Sequence, residues 1–127
     1  MIKNRLIKHK NSFGYAIEGL VWAFSTQLNY QIHAFCSVLA LVLGFFYNIS
    51  SLENVIIVFL IAVGFAIETI NTAIECLADA IDKNWREDIK IAKDVSAGAM
   101  LVFAIGAFVI ACIIFLPKIV AYHNLFK

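Results

Sequence analysis

Charge is scarce in this chain. Of 127 residues only 15% are Asp, Glu, Lys or Arg and the formal net charge is +1, which gives no electrostatic case for nucleic-acid binding. No basic patch is interleaved with aromatic residues, the arrangement that single-strand binders use. Cysteine is equally sparse. Cys36, Cys76 and Cys112 are odd in number, show no paired spacing and sit in apolar helical surroundings. That argues against a disulfide framework and a zinc site, and predicts small buried hydrophobes. A Walker loop, a Gly-rich phosphate loop and a Ser-His-Asp order are all missing. What is present is hydrocarbon. With 62% hydrophobic residues and a mean hydropathy of +0.86, the chain is too apolar for an ordinary soluble domain, in which roughly half the residues are apolar, and it belongs in a bilayer.

Three apolar spans are predicted, at about 32–47, 52–81 and 95–116. Each can cover most of a hydrocarbon core ~30 Å thick, which takes about 20 residues; the first is short and is expected to borrow length from the segment before it. Helices are required, because three spans cannot close a barrel and lipid offers the backbone no other partners. Ahead of them, Phe13, Ala16, Ile17, Leu20, Val21 and Phe24 recur at helical spacing within Ser12 to Tyr30. This pattern predicts an amphipathic surface helix with Ser12 as its N-cap and Trp22 at headgroup depth. The apolar stretch from Ala34 lies too deep in the chain for a signal peptide, so the chain is expected to be kept whole. The predicted fold class is an all-α membrane protein of one domain, 1–127: a basic amino terminus and surface helix over 1–31, then three transmembrane helices. Lys3, Arg5, Lys8 and Lys10 lie before the first span and Lys83, Arg86, Lys90 and Lys93 between the second and third. The turn from Asn48 to Asn54 has no basic residue, so the amino terminus and the second loop are expected on the cytoplasmic side.

Glu68, Asn71, Glu75 and Asp79 close the second span, stepping by three, four and four, which sets them on one helical stripe. A charge central to a membrane helix costs roughly 2.5–3.5 kcal/mol on insertion scales. A purely structural polar seam would explain one amide, but three carboxylates make poor glue without cations. An ion path would need a polar lining on the other spans too. Magnesium suits the row, since it takes oxygen ligands and completes its shell with water and phosphates, and phosphoryl transfer is the matching chemistry. On position, Glu68 is a candidate general base, Lys93 could hold a phosphate, and Asp94 could orient Lys93 or contact a nucleotide. Asn29, Tyr30 and His33 read as interface residues, His33 as structural, Trp85 and Arg86 as a headgroup anchor and a solvated charge, and Glu87 with Asp88 as a wet surface.

The run Glu68-x-x-Asn71-Thr72-Ala73-Ile74-Glu75-x-x-x-Asp79, followed by Ala92-Lys93-Asp94 and the small residues Ser96, Ala97, Gly98 and Ala99, resembles the bacterial integral-membrane diacylglycerol kinase and undecaprenol kinase family. The resemblance covers about Phe13 to Ile119. Asn29-x-x-x-His33 and Phe115-Leu116-Pro117-Lys118-Ile119 look more like the undecaprenol kinase branch. What the resemblance implies is a multi-pass homotrimer of the bacterial inner (cytoplasmic) membrane with sites at subunit boundaries. Mg²⁺ and ATP would bind at the cytoplasmic face, and undecaprenol or diacylglycerol would enter from the bilayer. By resemblance Glu75 is a metal ligand, Glu68 the candidate base, Asn71 and Asp79 site-organising residues or nucleotide contacts, and Lys93 and Asp94 contacts to the nucleotide and its phosphates.

Two positions depart from the family pattern. Gln27 stands where a second metal-binding Glu is usual, and Gln31 where an Arg often follows. An amide keeps an oxygen but loses a charge, so weaker Mg²⁺ affinity is expected unless a group such as Glu18 substitutes. Two function classes follow: a lipid kinase, or an impaired relic of one that acts as a trimeric lipid- or partner-binding membrane protein.

Overall fold

A computed structural model describes residues 2–81 and 86–124, with side chains from Asn11 onward. Lys83 and Trp85 lie outside the described residues. Four helices follow one another: α1 (Ile2–Thr26), α2 (Leu28–Phe46), α3 (Ser51–Ile81) and α4 (Glu87–Asn124). Helices α2, α3 and α4 are each long and apolar enough to cross a membrane. Ser12 is not an N-cap. The helix formers Lys, Arg and Leu upstream of it carry α1 back to Ile2, which leaves Ser12 in a helix interior.

The chain breaks at Gln27, whose backbone is extended at φ −102° and ψ 116°. Ser25 and Thr26 prepare the break, for both hydroxyls donate back to the Trp22 carbonyl, at 2.9 and 2.8 Å. The Phe24 carbonyl, left without a helical partner by the break, accepts instead from the Gln31 side-chain amide at 3.1 Å. Leu28 to Tyr30, expected in the surface helix, thus open α2 and supply the borrowed length.

Asn48 ends α2 at φ 48°, the left-handed conformation that asparagine tolerates. Ile49 N–H donates to the Gly44 carbonyl at 3.1 Å and Asn48 N–H to the Phe45 carbonyl at 3.2 Å, a Schellman closure. Gly44 lets Ile49 pack close, since a Cβ would stand 2.9 Å from Ile49 Cδ1 and push that side chain aside. Ser50 and Glu53 then form a capping box for α3: Ser50 N–H donates to Glu53 Oε2 at 2.6 Å, and Glu53 N–H to Ser50 Oγ at 3.3 Å. Lys118 on α4 adds an ion pair to the same Glu53 oxygen at 3.1 Å.

Beside this turn lies the apolar core, built from Ile49, Ile57, Ile114 and Phe115. Midway along the bundle the His33 ring meets Phe65 edge-on at 4.8 Å and approaches Phe103 at 6.2 Å. Gly64 supplies the notch, because a Cβ there would collide with the imidazole. His33 Nε2 is buried with no hydrogen-bond partner among the described residues. The three cysteines are not buried as expected: Cys36 and Cys76 are exposed and Cys112 half-buried. The chain covers only its interhelical seams, so most outward apolar positions stay uncovered. On α1 these include Phe13, Ile17, Leu20, Val21 and Trp22.

Candidate active site

At the Ile81 end of α3 the seam turns polar. Glu68 is 2% exposed, and Asn71, Thr72 and, from α4, Ser96 are buried around it. Asn71 Nδ2 donates to Glu75 Oε1 at 3.1 Å, while Asn71 Oδ1 accepts from the Ser96 hydroxyl at 2.7 Å. Ser96 Oγ also lies 2.9 Å from the Lys93 carbonyl. Asn71 therefore has both ends engaged: it fastens α3 to α4 and holds the Glu75 carboxylate in place. No hydrogen bond reaches the Glu68 carboxylate from the described residues, although Glu75 is near enough to act on it electrostatically.

Burial falls off along the stripe. Glu68 is enclosed, Glu75 half-buried and Asp79 exposed; at 1.5 Å per residue this gradient spans about 16 Å of helix. Lys93 Nζ pairs with Asp79 Oδ1 at 2.9 Å, their side chains 37% and 63% exposed. Asp94 does not orient Lys93. It pairs with Lys90 at 2.5 Å, one helical turn back, because consecutive helix residues point about 100° apart. Arg86 binds both Asp88 oxygens, at 2.6 and 3.2 Å, in an exposed pair.

Gln27 is half-buried at the α1–α2 break. Its amide nitrogen donates to Thr26 Oγ1 at 3.2 Å, which turns the amide oxygen into the uncommitted end. Among the described residues no three His, Cys, Asp or Glu side chains gather tightly enough to hold a metal ion, and Glu18 joins no such group. Glu68 and Glu75 stand near enough to interact, whereas among the described residues no hydrogen bond joins Gln27 to either. Two carboxylates fit Mg²⁺, which usually takes one or two from the protein and fills its shell with water and phosphate oxygens.

On the other side of α3 an open apolar groove of about 530 Å³ runs between α1, the start of α2 and α3. Leu20, Val21 and Phe24 line it from α1, Tyr30 from α2, and Phe65, Ala66 and Thr69 from α3. Thr69 follows Glu68 in the chain and points about 100° away from it, so the groove and the enclosed carboxylate flank the same turn of α3. Sequence reasoning passed over Ser96, Tyr30 and Thr69 as site components. Ser96 lies three residues beyond Lys93 on one helical face, a spacing that could have found it; nothing in the sequence pairs Tyr30 with Thr69.

Three helices long and apolar enough to cross a membrane, with an enclosed carboxylate at the head of a stripe of increasingly exposed charges, are the features of a membrane-bound enzyme. The profile of the prokaryotic diacylglycerol kinase family matches residues 14–115. Undecaprenol kinase of Bacillus subtilis is 38% identical over 117 residues, covering 92% of this chain and 95% of its own. Diacylglycerol kinase of Synechocystis is 32% identical over 111 residues, 87% of this chain and 63% of that longer protein. Diacylglycerol kinase of Escherichia coli is 26% identical over 110 residues, 87% and 88% of the two chains. The chain belongs to the prokaryotic diacylglycerol kinase family and is a lipid kinase.

Proposed function

We propose that this protein transfers the γ-phosphate of Mg-ATP to the hydroxyl of a membrane lipid, undecaprenol or diacylglycerol. The observation that carries the reading is the placement of Glu68, enclosed at the seam and next in the chain to a residue of the apolar groove. A lipid whose tail lies in the groove brings its hydroxyl toward the turn of α3 that carries Glu68, whose carboxylate accepts no hydrogen bond from the described residues. Glu68 takes the hydroxyl proton as the lipid oxygen bonds to the γ-phosphorus and the bond from that phosphorus to the bridging oxygen of ADP breaks. Glu75, held by Asn71, and the amide oxygen of Gln27 would hold Mg²⁺, which neutralises charge on the phosphates. Lys93, released from Asp79, is the cation for the transferring phosphate, Asp79 and Asp94 complete the nucleotide contacts, and Asn71 organises the site by holding Glu75.

The basic residues in the first turns of α1 and at the start of α4 support an inner-membrane protein with a cytoplasmic amino terminus. The uncovered apolar sides of the helices suit a homotrimer with α1 lying on the membrane as an amphipathic helix. The test is phosphate transfer from Mg-ATP by the purified protein in mixed micelles, with undecaprenol and diacylglycerol offered separately and Glu75→Gln as the blank. Turnover that vanishes in the variant supports the kinase. No turnover above the blank, restored by Gln27→Glu, would instead mark this chain as an impaired form.

A further inference from the structure

The groove between α1, α2 and α3 contains one polar device that the transfer reaction does not use. Tyr30 is buried, with its hydroxyl 3.3 Å from Thr69 Oγ1. Thr69 Oγ1 in turn lies 2.7 Å from the Phe65 carbonyl. A carbonyl only accepts, so the Thr69 proton points to Phe65, and Tyr30 must be the donor to Thr69. The relay therefore runs in one direction, from Tyr30 through Thr69 to the α3 backbone. The Tyr30 ring is fixed as well, tilted on Phe65 at 5.1 Å and edge-on to Phe24 at 6.4 Å. One residue thus ties α1, α2 and α3 together. Among the described residues Tyr30 is the only one from α2 that lines the groove, and Thr69 is the α3 lining residue nearest the acidic end.

A hydrocarbon chain in an apolar groove is gripped without register, because hydrophobic contact is non-directional and scales with area. Sliding by one methylene changes the buried area little, yet a 1 Å error at the reacting atom can cost about a hundredfold in rate. Something rigid must stop the lipid at the correct depth. We propose that Tyr30 and Thr69 are positioning residues that together form the fixed stop of the groove, so that the lipid hydroxyl comes to rest at Glu68. This proposal rests on the lipid kinase reading for its rate effect and on the groove alone for its placement effect.

Tyr30→Phe keeps both ring contacts and removes only the hydroxyl; Thr69→Val removes the partner; Thr69→Ser restores it. Steady-state transfer to the preferred lipid should show kcat lowered about three- to tenfold in Tyr30→Phe and in Thr69→Val, with the lipid KM within about twofold of wild type. The double variant should lose no more than either single one, and Thr69→Ser should recover. A second readout needs no turnover. A long-chain alcohol carrying a diazirine beside its hydroxyl, photolysed in the groove, should label α3 around Thr69 in the wild type and spread toward Phe65 and Ala66 in Tyr30→Phe. Focused labelling without wild-type turnover would sink the kinase reading and leave the stop intact. Unchanged kcat and unchanged labelling in Tyr30→Phe, or a raised KM at constant kcat, would overturn the stop. A Tyr30→Phe protein that fails to fold hands the decision to Thr69→Val, judged on the same labelling pattern.

Discussion

The two ends of the α3–α4 seam are built on opposite rules. At the Ser51 end, apolar side chains from Ile49, Ile57, Ile114 and Phe115 meet, and the nearby polar groups of Ser50, Glu53 and Lys118 satisfy one another. At the Ile81 end, a carboxylate is enclosed without a donor among the described residues, and the amide beside it serves as a brace for Glu75. A buried carboxylate with no paired charge lowers stability, because desolvation is repaid only by partners. The first end therefore holds the helices together, and the second gives up part of that stability, as sites reserved for chemistry do.

The sharpest break of this contrast is Glu75→Gln or Glu68→Gln. Each should lower phosphate transfer by at least about a hundredfold while thermal unfolding in detergent stays level or rises, since a destabilising charge is gone. Loss of activity together with lost stability would instead make the row a structural seam. Next in size is the brace. Asn71→Leu, and to a lesser degree Ser96→Ala, should raise the Mg²⁺ concentration needed for half-maximal activity by about 10–100-fold, as removal of outer-shell partners does. An unaltered metal dependence would show that Glu75 needs no help from α4.

Between the ends stands the His33 notch. Gly64→Ala places a methyl where the imidazole sits, and overpacking of this kind costs about 1–3 kcal/mol, to be read as a lowered unfolding midpoint. Partial restoration of that midpoint by His33→Ala in the Gly64→Ala background would confirm the collision, the Phe103 ring at 2.6 Å from the added methyl accounting for the rest. The smallest effect belongs to the Ser51 end. Lys118→Met should cost at most about 1 kcal/mol and leave transfer rates unchanged, as partly exposed ion pairs contribute little. A drop in activity there would show that the two ends are coupled.

Much of this was legible before any coordinates. Glu68, Asn71, Glu75 and Asp79 share a face because helical pitch puts them there, and the three long apolar segments emerge as helices for the same local reason. Misreadings arose where a choice was made between helices or by competition at a helix end. Asp94 chose Lys90 over Lys93, Ser12 was absorbed by a longer α1, and the cysteines turned outward because a single chain has too few helices to cover every apolar face. The shortened first span had the same origin, since Gln27 rather than Tyr30 ends the first helix.

By itself, the sequence determined the membrane-spanning character, the helical periodicity and the acidic stripe, all set by side-chain chemistry repeated over one or two turns. Only the tertiary structure decided that Asn71 braces Glu75 through Ser96, that Gly64 houses His33, that Gln31 caps the Phe24 carbonyl and that Tyr30 reaches Thr69. These contacts join residues 7 to 39 positions apart or depend on which faces of two helices meet, and rotation about a helix axis is fixed by packing, which no local pattern encodes.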